Sequence, residues 1–167
     1  ASYRRQRQMC IRDSMMGTKV TGKTLGLIGM GRIAQAMAHK SHFGFNMKII
    51  FFDPYFDNDE VMKKFEATKL NSIDEVLSQA DFVSLHCPST KETKGLINKE
   101  TISKMKKSAY LINTARGDIV NENDLVEALK EEMIMGAGLD VYEKEPSVHK
   151  NLVPVSYTHL TLPTIGC

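Results

Sequence analysis

The sequence predicts an α/β protein built on a doubly wound sheet of parallel strands, and three observations carry that prediction. Short apolar runs alternate with helically spaced segments through residues 15–154. One of the apolar runs, "MKIIFF" (47–52), is rich in β-branched and aromatic side chains. Neither internal repeats nor low-complexity linkers interrupt the alternation, so one domain is expected, and 167 residues suffice for one substantial core.

The elements follow in order. "TLGLIG" (24–29) is a short buried-strand candidate, and "RIAQAMAHKSHF" (32–43) carries apolar residues at helical spacing. "MKIIFF" (47–52) is the next strand, with a weak one near Ala67–Leu70. "SIDEVLSQA" opens with Ser72 as N-cap and Glu75 at the capping-box position. "DFVSLHC" (81–87), "AYLINTA" (109–115) and "MGAGLDVY" (135–142) supply three more strands, separated by the helices "NKETISKM" and "NENDLVEALKEE". The sheet is expected to stop after Pro154, before its last strand.

Composition bounds the function. No apolar run approaches the roughly 18–20 residues that span a bilayer. Cysteines at 10, 87 and 167 form neither a disulfide framework nor a spaced metal site, so a reducing, cytoplasmic setting is the default and no metal is expected. His39, His42 and His149 show no ligand pattern with one another. The net charge of +2 suggests a nucleic-acid partner only through Arg4, Arg5, Arg7 and Arg12; the rest of the chain uses arginine twice, at Arg32 and Arg116.

Back-translation accounts for that crowding. Arg4 to Asp13 can be written CGT CGG CAG CGT CAG ATG TGT ATA AGA GAC, followed by AG. Its reverse complement reads, in one frame, Val-Ser-Tyr-Thr-His-Leu-Thr-Leu-Pro-Thr, which is Val155 to Thr164 residue for residue. The string resembles the inverted adapter that transposon-based library preparation places at both ends of a DNA fragment. Residues 1–14 and 155–167 are therefore expected to be non-native tails that add little stability. Without the first (four Arg, one Asp) the charge falls from +2 to −1, since the second carries no Lys, Arg, Asp or Glu. No nucleic-acid partner is expected, and His159 belongs to a tail.

The chemistry begins at "GLIGMGRIAQA". Gly29-x-Gly31-x-x-Ala34 follows a strand, opens a helix, and precedes Asp53 by 22 residues counted from Gly31. Gly29 permits the tight turn, Gly31 lets backbone approach a pyrophosphate, and a small residue at 34 allows close helix–strand packing. The helix N-terminus offers unpaired N–H groups to phosphate. Asp53 is placed to accept hydrogen bonds from the adenosine ribose and would repel a 2′-phosphate, so NAD is favoured over NADP. This is the Rossmann arrangement.

Beyond it, "LHCPSTKETKGLINKETISKMKKSAYLINTARGDIVNENDLVEALKEE" and "GAGLDVYEKEP" resemble the NAD-binding domain of the D-isomer-specific 2-hydroxyacid dehydrogenases. "MMGTKVTGKTLGLIGMGRI" and "HFGFNMKI" resemble its glyoxylate and hydroxypyruvate reductase branch. The resemblance covers essentially all of 15–154 and implies that Arg116 grips a substrate carboxylate, as a planar guanidinium can. It implies that Glu145, 29 residues on, pairs with a catalytic histidine and stabilises its imidazolium. It also places Arg32 and Ile33 at the pyrophosphate, His86, Cys87 and Pro88 beside adenosine, and Thr114, Ala115, Arg116 and Asp140 near the nicotinamide. The implied substrate is a small 2-oxo or 2-hydroxy acid, and the implied assembly of the parent protein is a homodimer.

Blander readings stand beside these. Arg116 could be a surface cation capping a strand end, Glu145 a solvated loop charge, His86 a packed histidine, and Cys87 a small buried hydrophobe. One departure from the family pattern is decisive for activity: the "PHIG"-like block with the histidine does not follow Glu145, and the likeness of "THLTLPTIG" to it is accidental. The family's substrate domain is not represented either. The expected protein is the cofactor domain of an oxidoreductase, inactive alone; the alternative is a non-catalytic NAD(H)-sensing module of the corepressor type.

Overall fold

The computed structural model describes residues 18–145, 147, 150–152 and the backbone of 158–160. The arginine-rich stretch, Cys10, Cys167 and His149 lie outside the described residues. Strands β1 (Thr24–Ile28), β2 (Lys48–Phe52), β3 (Thr68–Lys69), β4 (Phe82–Leu85), β5 (Tyr110–Asn113), β6 (Gly136–Leu139) and β7 (Thr158–Leu160) form one sheet in the order 3-2-1-4-5-6-7. Every pairing is parallel. The helices are α1 (Arg32–Phe45), α2 (Asp59–Lys64), α3 (Ile73–Gln79), α4 (Lys99–Ser103) and α5 (Glu122–Lys130).

Period-two alternation explains why the sheet is wound on both faces. Leu25 and Leu27 of β1, with Ile49 and Phe51 of β2, point into a core closed by Ala34 and Ala38 of α1 and by Phe65. Ile28 and Ile50 point the other way, into a larger core with Val76 and Leu77 of α3, Ile102 of α4 and Leu125 and Leu129 of α5. Each strand must then be apolar on both faces, which is why the runs read as continuous rather than alternating. Gly26 is the tightest point of this packing. A Cβ there would meet Val76 Cγ1 at 2.6 Å and Ala80 Cβ at 2.7 Å, so its missing side chain lets α3 lie close on β1.

The six expected strands are present, each trimmed by a residue or more at its ends. Ser72 caps α3 by accepting the Glu75 N–H at 3.2 Å, while Glu75 reaches back to the Asn71 N–H, one residue short of a reciprocal box. Helix α2 was not foreseen. Its charged sequence hides the periodicity, although Asn58 caps it by accepting the Val61 N–H at 3.1 Å.

One strand is added to the expected sheet. Thr158–Leu160 pairs with β6 in the register Ala137↔Thr158, Gly138↔His159, Leu139↔Leu160. A sheet edge presents unpaired N–H and C=O groups that any extended segment can satisfy, whatever its side chains. The expected stop after Pro154 is thus corrected: the edge of β6 is covered, and it is covered from within the C-terminal tail.

Candidate active site

In an order of 3-2-1-4 the strand order reverses between β1 and β4, and the loops beyond those strand ends diverge to leave a crevice. The glycine loop and "HCP" face each other across it. Gly29 adopts φ +94°, and a Cβ there would stand 3.0 Å from the His86 carbonyl group and 3.1 Å from the Cys87 nitrogen. Conformation and space both require glycine at this position. Gly31 differs: it has φ −70°, and nothing would lie within 4 Å of a Cβ. The room above Gly31 faces outward, as an approaching pyrophosphate needs.

Gly31 is also the N-cap of α1, with no side chain capping the helix. Ile33, in the first turn, is 75% exposed, an unusual place for a large apolar side chain unless something covers it. Ala34 is fully buried, as its packing role requires. Asp53 follows β2 directly and is engaged at both oxygens: Oδ2 accepts the Met30 N–H at 2.8 Å and Oδ1 the Tyr55 N–H at 2.9 Å. The first bond ties the carboxylate to the middle of the glycine loop. These residues fit a dinucleotide: an open helix N-terminus for the phosphates and a carboxylate held beside it for ribose hydroxyls.

On the facing strand, His86 donates its backbone N–H to the Ile28 carbonyl at 2.8 Å, and its Nε2 lies 3.0 Å from Oγ of the fully buried Ser84. Burial lowers its pKa below the ordinary histidine value, so the neutral ring is favoured. Burial, with the nearby Asp53 charge adding to it, raises the Cys87 thiol. Cys87 is protonated in this setting and suits an apolar wall. Pro88 follows it, exposed.

A second cleft lies beyond β5 and β6. It has a volume of about 460 Å³ and is lined by Ser89, Lys94, Arg116, Gly117, Asp118, Tyr142, Glu143, Lys144 and Glu145. Arg116 and Glu145 therefore share one cavity. Thr114 and Ala115 extend from β5 and Asp140 from β6, where the Asp140 N–H donates to the Asn113 carbonyl at 3.0 Å. Arg116 is exposed and its Nη1 donates to the Ala115 carbonyl at 2.7 Å. Glu145 accepts the Tyr142 N–H at 3.1 Å, which folds its turn.

Three residues that hold this cleft together were not singled out from sequence. Asn113 is 1% exposed; its Nδ2 donates to the Arg116 carbonyl at 2.9 Å and its Oδ1 accepts the Ala115 N–H at 3.1 Å. Gly117 packs backbone to backbone against Tyr142 and Glu143, with no room for a Cβ. Glu122, 4% exposed, accepts the Glu143 N–H at 2.8 Å. The asparagine and glycine flanking "TAR" were the signals to follow. Among the described residues no group of His, Cys, Asp and Glu could hold a metal ion, and no helix is long and apolar enough to cross a membrane.

Fold and crevice together define a dinucleotide-binding α/β domain with an adjoining cleft lined by charges of both signs. Comparison with known proteins gives the family. The profile described as "D-isomer specific 2-hydroxyacid dehydrogenase, NAD binding domain" matches residues 1–163, and the chain belongs to that family as its NAD-binding domain. It is 46% identical over 151 residues to glyoxylate reductase of Pyrococcus horikoshii, covering 90% of this chain and 44% of that protein. It is 46% identical over 142 residues to D-3-phosphoglycerate dehydrogenase of Bacillus subtilis, covering 85% of this chain and 26% of that protein. Among solved structures, holo D-mandelate dehydrogenase of Rhodotorula graminis superposes with a TM-score of 0.87 at 32% identity, covering 93% of this chain and 45% of that one. The NAD complex of a 2-hydroxyacid dehydrogenase from Lactobacillus delbrueckii superposes with a TM-score of 0.79 at 34% identity, covering 89% and 48%. The chain spans less than half the length of these relatives. Their names are those of dehydrogenases and reductases, which does not favour the sensing-module alternative.

Proposed function

We propose that this domain serves an enzyme that transfers hydride between NAD(H) and a small 2-oxo or 2-hydroxy acid, with glyoxylate or hydroxypyruvate as substrate. The observation that carries the reading is the single cleft containing Arg116 and Glu145 beside the ends of β5 and β6. Gly29, Gly31, Arg32 and Ile33 would hold the pyrophosphate, Asp53 the adenosine ribose, and His86, Cys87 and Pro88 the adenine side. Thr114, Ala115 and Asp140 would flank the nicotinamide. When bound, NADH supplies the hydride.

The chain's own residues do the rest. The guanidinium of Arg116 binds the substrate carboxylate through two parallel charge-assisted bonds and turns the 2-oxo group toward the crevice. Glu145 stabilises an imidazolium contributed by the remainder of the parent protein, keeping a proton ready for the oxygen of the reduced carbonyl. A positioned proton donor of this kind contributes about 10²–10⁴-fold to the rate.

The test follows NADH absorbance with glyoxylate and with hydroxypyruvate. The parent protein should turn over, Arg116→Ala should lose at least about a hundredfold in kcat/KM, and this chain alone should show nothing. Unchanged turnover in Arg116→Ala would remove the assignment.

Three further parts of the reading are proposals of the same kind. Residues 1–14 and 155–167 derive from adapter DNA, supported by the ten-residue inverted correspondence of the two ends. Sequencing the gene across both junctions should find neither stretch. The parent protein is a homodimer, as the family resemblance implies, which sedimentation would test. It resides in the cytoplasm, for which the lack of a cysteine framework is the support.

A further inference from the structure

We propose that Glu122 is a positioning residue for the Glu145 turn, holding it at the height from which Glu145 meets its histidine. The inference rests on the reading of Glu145 given above and adds a residue to it.

Carboxylates are rarely buried without a reason, because desolvating the charge is costly unless hydrogen bonds replace water. Glu122 is buried in the first turn of α5, where the helix dipole favours a negative charge. Its Oε1 is turned away from its own helix and accepts the Glu143 N–H. The preceding amide, the Tyr142 N–H, donates to Glu145. Successive amides of one turn are thus held by two carboxylates, one buried and fixed, the other at the rim of the cleft. Shifting the Glu143 amide rotates the Tyr142–Glu143 backbone and moves the Tyr142 N–H donor that Glu145 must reach.

Gly117 completes the clamp, since its backbone contact with Tyr142 and Glu143 prevents the turn from settling deeper. The charged groups around this turn are Lys94, Arg116 and Asp118 on one side, Glu122 on the Glu143 amide, and Asp140, Glu143, Lys144 and Glu145 on the other. The Tyr142 hydroxyl is raised above its ordinary pKa by burial, then by Asp140, Glu122 and Glu145.

The test uses the full parent protein and compares Glu122→Ala, Glu122→Gln and Glu145→Gln. Glu122→Gln keeps an acceptor for the Glu143 N–H and should behave nearly as the unsubstituted enzyme. Glu122→Ala should lower the pKa of the proton donor in the kcat/KM profile by a fraction of the roughly 1–3 units that a paired charge confers. It should lower kcat several-fold while leaving oxalate affinity, a readout of Arg116, within about twofold. Hydrogen exchange at the Glu143 amide should quicken in the same variant. A reduced thermal midpoint with an unshifted profile would overturn the proposal and leave Glu122 a structural residue. If Glu145→Gln also fails to shift the profile, the reading of Glu145 itself is lost; if it alone shifts it, only the role of Glu122 is lost. Should Glu122→Ala not fold, Glu122→Asp, shorter by one methylene, carries the same expectations.

Discussion

Two glycines of the site, Gly31 and Gly117, serve opposite purposes. In the cofactor crevice, Gly31 leaves its space empty, with nothing within 4 Å of a Cβ. In the Arg116–Glu145 cleft, Gly117 has its space filled by the backbone of Tyr142 and Glu143. The first leaves open space, where we propose the pyrophosphate approaches, and the second makes room for the chain itself. The crevice is assembled from residues 29–53 and the facing strand end. The cleft joins residues 116–122 to the 142–145 turn through Gly117 and Glu122, with Asn113 fixing the Arg116 loop locally. A ligand-facing glycine can therefore be replaced without unfolding the domain, whereas a chain-facing one cannot.

The largest expected effect breaks that comparison open. Gly117→Ala puts a methyl group into backbone atoms that cannot rotate away, so unfolding by denaturant should show a loss of about 3 kcal/mol or more. Gly31→Ala should cost less than about 1 kcal/mol of stability, yet weaken NADH binding at least about tenfold by occupying the pyrophosphate's approach. Equal stability losses in the two variants would erase the distinction.

Next in size is the carboxylate at the crevice. Asp53→Ala should narrow the preference for NADH over NADPH by roughly 1.5–3 kcal/mol, the worth of hydrogen bonds to a charged group. Because Asp53 also accepts the Met30 N–H, affinity for pyrophosphate alone should fall as well. Titration with NADH, NADPH and pyrophosphate separates the two roles. No preference in the unsubstituted domain would end the assignment.

Smaller still is the effect of removing residues 155–167. The hydrogen bonds of edge pairing, about 0.5–1.5 kcal/mol each, are offset by the roughly 1–2 kcal/mol per residue of ordering the strand, so the thermal midpoint should move little. Amide exchange in β6, around Gly138, should nonetheless quicken as its partner is lost. A drop of several degrees would mean the tail contributes more than backbone pairing.

The smallest effect belongs to His86. Burial depresses its folded-state pKa below 6.5, so the unfolded chain takes up a proton at a pH where the folded chain does not. Stability therefore rises with pH through the window between the depressed value and 6.5, and this contribution is lost as pH falls through that window. His86→Gln should flatten that slope, measured by denaturant unfolding from mildly acidic to neutral pH. An unchanged slope would place the ring in water.

The strands were legible because burial on both faces forces continuous apolar runs, as in "TLGLI" and "KIIFF". The glycine turn was legible because its requirements are local: a positive φ at Gly29 and a short reach to Asp53. Helix α2 escaped because six residues of mixed charge carry no clear period. Arg116 and Glu145 were found only through likeness to a family, since neither arginine before glycine nor glutamate before proline demands a cleft. Gly117, Asn113 and Glu122 escaped altogether; each acts on backbone atoms remote from it or hidden in an unremarkable loop.

By itself, the sequence determined the α/β class, the strand-turn-helix at Gly29–Ala34, the carboxylate of Asp53 and, through the mirrored ends, the proposed origin of both tails. Those follow from period, local backbone geometry and the coding relation between two segments. Only the tertiary structure decided that Gly31 is open while Gly117 is closed, that Asp53 braces the glycine loop, and that Glu122 reaches the turn of Glu145. It also decided that the edge of β6 takes up Thr158–Leu160. Each of these depends on which backbone groups meet across distances in the chain that no local pattern encodes.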